Sequence, residues 1–87
     1  MDMRRLVGKN VRRFRLAKGL TQEELSAKSG FTQQYISDLE RGLRNPTVVT
    51  LYELAQALEV DHLDLISVIT VPSGPIRTAK LRKGGRS

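Results

Sequence analysis

Leu20-Thr21-Gln22-Glu23-Glu24-Leu25, followed four residues later by Ser29-Gly30-Phe31-Thr32-Gln33-Gln34-Tyr35-Ile36-Ser37-Asp38-Leu39, is the stretch whose reading decides the fold. Thr21 offers an N-cap hydroxyl, and Glu24 stands three residues on, the spacing of a capping box. Leu25 faces inward, and Gly30 stops this helix after about two turns, because glycine accepts a positive φ at no steric cost. Thr32 caps the next helix, whose inward face is Tyr35, Ile36 and Leu39 and which closes at Arg41-Gly42. Opposite that face, Gln33, Ser37 and Arg41 recur every four residues on one ridge, with Gln34 and Asp38 on the adjacent ridge. Two short helices around a glycine turn form a helix-turn-helix.

The flanks supply the rest of an all-α bundle. Upstream, Val7, Val11 and Phe14 recur at i, i+4, i+7, which predicts an amphipathic helix from Leu6 to about Lys18, ended by Gly19. Downstream, Leu43-Arg44-Asn45-Pro46 reads as a turn, since proline disfavours helix at the residue before it. Thr47 then caps a fourth helix in which Leu51, Leu54, Ala55 and Leu58 repeat at i, i+3, i+4, i+7. Asp61, with Asp64 behind it, starts a short fifth helix containing Leu63, Leu65 and Ile66. Residues 1–67 are thus expected to form one five-helix domain. Residues 68–87 divide into a β-branched run (Val68–Val71), a Pro/Gly linker and a basic tail.

Charge is distributed unevenly. The chain of 87 residues carries a net +6, yet residues 1–74 hold ten Lys/Arg against nine Asp/Glu. Arg4, Arg5, Lys9, Arg12, Arg13, Arg15 and Lys18 crowd the first eighteen residues, and the last thirteen hold five cations and no acid. This asymmetry points to a polyanionic partner. The absence of cysteine excludes disulfides, thiolate metal sites and cysteine nucleophiles. His62 is the one histidine, so no imidazole cluster is available for a metal, and neither a catalytic constellation nor a cofactor motif is present. No apolar run approaches the ~20 residues needed to span a bilayer, and the N-terminus lacks a secretory apolar stretch. The expectation is a cytoplasmic, non-enzymatic protein without metal or cofactor.

Side chains of the Gln33/Gln34 type suit base edges: glutamine makes bidentate contacts to adenine N6 and N7, and an aspartate accepts from cytosine N4–H. The first residues of such a helix are the ones pushed into a major groove. Residues 4 to about 66 resemble the phage-repressor-like helix-turn-helix family, the Cro and xenobiotic-response-element regulators. The matching runs are Val11-Arg12-Arg13-Phe14-Arg15, Gly19–Leu25, Ser29-Gly30, Tyr35–Gly42, Arg44-Asn45-Pro46-Thr47 and Leu51–Val60. Within the family the chain is similar to small stand-alone regulators, including controller proteins of restriction–modification systems.

The resemblance implies a five-helix lambda-repressor-like DNA-binding domain and a transcriptional regulator of double-stranded DNA. Gln22 would clamp a phosphate and buttress Gln33, and Gln33 and Gln34 would read bases. Thr32, Ser37 and Asp38 would sit where further base or phosphate contacts are made, and Arg41, Arg44 and Asn45 would grip the backbone. Arg15 and Glu40 match a structural ion pair joining the first and third helices. Three residues depart from the pattern. Ser26 stands where alanine is frequent and Glu59 where glycine is frequent at a helix end. Asp38, an acid near phosphates, needs cytosine or an arginine such as Arg41 or Arg44 as its partner.

One recognition helix reads few base pairs, so a homodimer on a palindromic operator is expected. Leu63, Ile66, Ile69 and Val71 are the expected contacts, as apolar residues left over from a small core. The alternative from another class is a protein–protein adaptor or antitoxin-like module of the same fold.

Overall fold

The computed structural model describes residues 2–68. Four α-helices, α1 (Met3–Ala17), α2 (Gln22–Ser29), α3 (Gln33–Glu40) and α4 (Val48–Leu58), precede a 3-10 turn at His62–Ile66. The expected fifth helix is therefore this single tight turn. Asp61 and Asp64 still form its reciprocal cap, but five residues that bury only Leu65 do not support an α-helix. Helix α1 starts three residues earlier than the apolar stripe implied. Asp2 caps it by accepting from the Arg4 N–H at 3.1 Å, and its first turn is exposed, so hydropathy does not mark it. The expected β-branched segment and basic tail lie outside the described residues, apart from Val68.

Each α-helix begins on a polar side chain. Thr21, Thr32 and Thr47 accept from the backbone N–H three residues on, and Thr21–Glu24 is a complete capping box. Three helices end in the same way. After α1, the N–H groups of Gly19 and Leu20 return to Leu16 and Arg15. After α3, those of Gly42 and Leu43 return to Leu39 and Asp38, and after α4, those of Glu59 and Val60 return to Gln56 and Ala55. This paired closure needs a left-handed residue at its corner. Glycine supplies it twice, and Glu59 holds it at φ +61°. The frequent glycine of relatives thus marked a real left-handed corner.

The core is Val7, Val11, Leu25, Ile36, Leu39, Leu54, Ala55, Leu58 and Leu65, with Phe14, Leu20, Phe31, Tyr35 and Leu51 packed around it. Two residues of α1 do more than the stripe foretold. Asn10 is fully buried, and its Nδ2 donates to the carbonyls of Leu65 and Ser67, both at 2.9 Å, tying the 3-10 turn to α1. Gly8 lies against the last turn of α3. A methyl group there would fall on the Leu39 carbonyl oxygen and within 2.9 Å of that of Glu40. Only a bare backbone lets α1 and α3 approach so closely.

Candidate nucleic-acid interface

Helix α3 is amphipathic in the way its sequence requires. Ile36 and Leu39 are fully buried, while Thr32, Gln33 and Gln34 are exposed at its N-terminal end and Arg41 at its C-terminal end. Behind it, α2 meets it through the Gly30 turn at φ +85°. There Ser26 Oγ donates to the Phe31 carbonyl, so the departure from alanine adds a hydrogen bond without adding bulk. The Phe31 and Tyr35 rings stack with centroids 5.1 Å apart, packing the turn against the first turn of α3.

A buried ion pair seats the helix from below. Arg15 Nε donates to Glu40 Oε2 at 2.6 Å and a terminal nitrogen to Oε1 at 3.0 Å, a bidentate fork. The other terminal nitrogen of Arg15 donates to the Leu20 carbonyl at 2.8 Å, and Gln22 Nε2 completes Glu40 with a 3.0 Å bond to Oε1. The side chains of Arg15 and Glu40 are 9% and 4% exposed. The expected pair is thus in place, joining α1, α2 and α3. The Gln22 amide nitrogen bonds Glu40, and among the described residues no hydrogen bond links Gln22 to Gln33.

The outer face carries a second cluster. Asp38 Oδ1 accepts from Gln34 Nε2 and from Arg41, each at 2.9 Å, and Oδ2 lies 3.5 Å from an Arg44 nitrogen. The Arg41 bond, and then that from Gln34, holds the Asp38 carboxyl below its ordinary value of 3.8. Of the two partners open to Asp38, the intramolecular arginines are present. Arg44 also lies over the Tyr35 ring, 5.2 Å from its centroid, so Tyr35 is a packing residue that helps to aim an arginine. Gln33 and Asn45 are exposed with no hydrogen bond from their side chains among the described residues, and Ser37 is half-buried.

Sequence reasoning missed Gly8 and Asn10, both of which place α3 or brace its support. Asn10 sits on the same stripe as Val7, Val11 and Phe14, which was a signal that it is buried. A glycine inside a helix was the signal for Gly8. Arg5 and Lys9 of α1 share a groove with Glu40 and Arg41, so the basic face of α1 is continuous with the C-terminal end of α3. Of the residues expected to pair two copies, Leu63 is 56% and Ile66 38% exposed, and Ile69 and Val71 lie outside the described residues. Among the described residues no helix is long and apolar enough to cross a membrane, and no cluster of three His, Asp or Glu is poised to hold a metal.

Comparison with known proteins agrees with this geometry. The uncharacterized HTH-type transcriptional regulator y4dJ of Sinorhizobium fredii is 69% identical over 67 residues, 77% of this chain and 87% of that protein. The crystal structure of the restriction-modification controller protein C.AhdI from Aeromonas hydrophila superposes with a TM-score of 0.69 at 39% identity. The match covers 71% of this chain and 94% of that one. The controller protein C.Esp1396I, solved as a tetramer with its natural 35 base-pair operator, gives a TM-score of 0.69 at 35% identity over 75% of this chain and 86% of its own. The HTH_3 helix-turn-helix family matches residues 11–65, and the chain belongs to that family of transcriptional regulators.

Proposed function

We propose that this protein is a sequence-specific regulator of transcription that inserts α3 into the DNA major groove. The observation that carries this reading is the pairing of an exposed Gln33/Gln34 edge with a rigid seat beneath it. A recognition helix must present donors and acceptors outward while its own position is fixed, and α3 meets both conditions. Thr32 caps the same end, Ser37 follows Gln33 one turn on, and Gln22 braces Glu40 beneath the helix. Arg41, Arg44 and Asn45 supply backbone contacts where the chain turns from α3 to α4.

It acts as a two-fold homodimer on a palindromic operator, with half-sites about one helical turn, ~34 Å, apart. The exposed Leu63 and Ile66 support a contact around the 3-10 turn, on the far side of α1 from Gly8 and α3. The relative C.Esp1396I, which assembles as a tetramer on its operator, is consistent with such pairing. Residues 1–67 carry the DNA-binding unit, and the five cations of the last thirteen residues add attraction to phosphate.

Sequence selection from a random duplex pool tests the assignment. The wild-type protein is expected to enrich one palindromic sequence, and Gln33→Ala to relax selection at one position per half-site, at about 1–3 kcal/mol. Arg44→Ala is expected to weaken all sequences alike. An unchanged selection profile in Gln33→Ala would remove α3 from the groove, and sedimentation as a strict monomer on DNA would remove the dimer.

A further inference from the structure

Asp38 stands among the groups that face DNA, and its hydrogen bonds restrict what one of them can read. Gln34 lies one turn before it on α3 and donates from Nε2 to Asp38 Oδ1 at 2.9 Å. A free glutamine amide can turn either edge outward, because its oxygen and nitrogen exchange places by rotation about the last torsion. An ionised carboxylate accepts and cannot donate. Only the nitrogen of Gln34 can therefore face Asp38, and Oε1 is directed away from it. Arg41 and Arg44 hold the carboxylate in place at 2.9 and 3.5 Å, so one partner from α3, its C-cap and one loop residue converge on a single 16%-exposed side chain.

The locked amide keeps one N–H and one oxygen for the groove, in a fixed order. That pair matches adenine, whose N7 accepts and whose N6 donates. Against guanine it sets Oε1 opposite O6, two acceptors face to face. We propose that Asp38 is a specificity-positioning residue: by fixing the orientation of the Gln34 amide it selects adenine over guanine at the base pair Gln34 meets. This rests on α3 being the recognition helix, and it adds a residue that acts through another rather than on the base.

Three full-length proteins test it by selection from a random duplex pool: wild type, Gln34→Ala and Asp38→Ala. Gln34→Ala identifies the base pair that Gln34 reads, and competition binding then compares adenine with guanine there. The wild-type preference is expected to be about 5- to 100-fold. In Asp38→Ala it is expected to shrink to within about threefold, with the other positions keeping their ranking. A fourth protein, the Gln34→Ala/Asp38→Ala double variant, is expected to show no more loss at that pair than Gln34→Ala alone. Overall affinity for any duplex rises when the acid is removed from beside the phosphates, but a ratio at one base pair is blind to that change.

An unaltered adenine-to-guanine ratio in Asp38→Ala would overturn the proposal. So would a preference lost at a different base pair, because Asp38 would then contact a base itself. A flat wild-type profile would sink the recognition-helix reading and the proposal with it, and it differs visibly from the other two results. A readout without DNA is available as well. The Gln34 side-chain N–H resonances are expected to be shifted by the carboxylate in the wild-type protein and to collapse to free-amide positions in Asp38→Ala. Identical resonances in the two proteins would show that no lock exists.

Discussion

Helix α3 carries two arginine–carboxylate clusters, two residues apart in sequence and alike in chemistry, and they do opposite things. At Glu40 the Arg15 fork is closed off from water, and Gln22 and the Leu20 carbonyl take the remaining bonds. At Asp38 the arginines are largely solvated, 62% exposed for Arg41 and 48% for Arg44. Burial makes the first a fixed joint, because neither charge has water to fall back on. Exposure leaves the second exchangeable, since water can take an arginine's place at the carboxylate, and a phosphate oxygen the carboxylate's place at an arginine, at small loss. One cluster sets where the helix sits, and the other sets what its surface offers.

The contrast is broken most directly at the buried end. Glu40→Ala leaves the Arg15 guanidinium desolvated with the Leu20 carbonyl as its remaining partner, and a loss of about 3–5 kcal/mol in urea denaturation is expected. Replacing both partners at once, Arg15→Met with Glu40→Leu, is expected to recover most of that loss, because a charge is no longer stranded. A single Glu40→Ala variant as stable as the wild type would mean that the cluster is not a joint. Gly8→Ala attacks the same seat without touching a charge. Its methyl group must displace the Leu39 and Glu40 carbonyls, so about 1–3 kcal/mol is expected to be lost. DNA affinity is expected to fall with it, since the turn that moves carries Arg41.

The seat and the grip were legible in the sequence to different degrees. Periodicity marked Ile36, Leu39, Leu54 and Leu58 as interior, and the Thr21–Glu24 spacing marked a cap, because those signals are local and repeat with the helical turn. Arg15 and Glu40 are 25 positions apart, and no local pattern pairs them. Their partnership came from resemblance to relatives. The Gly8 contact is tertiary as well, visible in sequence as an unexplained helix glycine and nothing more. At the outer face, the ridge spacing brought Gln34 and Asp38 together, but the choice between cytosine and arginine for Asp38 depended on side-chain geometry that spacing does not carry. The last turn misled because a capped, partly apolar pentapeptide reads as the start of an α-helix, and length decides that it is not one.

Glu59→Gly sharpens the exposed side of the comparison. The substitution removes a solvent-accessible ion pair, Lys18 Nζ to Glu59 Oε1 at 3.6 Å, and relieves a left-handed residue that bears a side chain. A surface pair of this kind contributes little, whereas a non-glycine residue in the left-handed region costs about 1–2 kcal/mol. Against the extra backbone entropy of glycine, a net gain of about 0.5–1 kcal/mol is expected, seen as a higher melting temperature. A loss of stability would mean that the exposed pair outweighs the strain.

The smallest effect belongs to the titration of Asp38. Its folded-state pKa lies below the ordinary 3.8, chiefly through the Arg41 bond and then the Gln34 bond. A carboxyl with a depressed folded pKa contributes stability that is fully present above its unfolded pKa and is lost as pH falls through the folded value. The sign is therefore destabilisation on acidification, confined to pH below about 4 and slight for a carboxylate whose arginine partners are largely solvated. Carboxyl carbon shifts followed by NMR are expected to place the midpoint below 3.8 in the wild-type protein and nearer to it in Arg41→Ala. At neutral pH the carboxylate is fully ionised, so any change that Asp38→Ala makes to base preference there comes from a lost acceptor and not from a shifted proton.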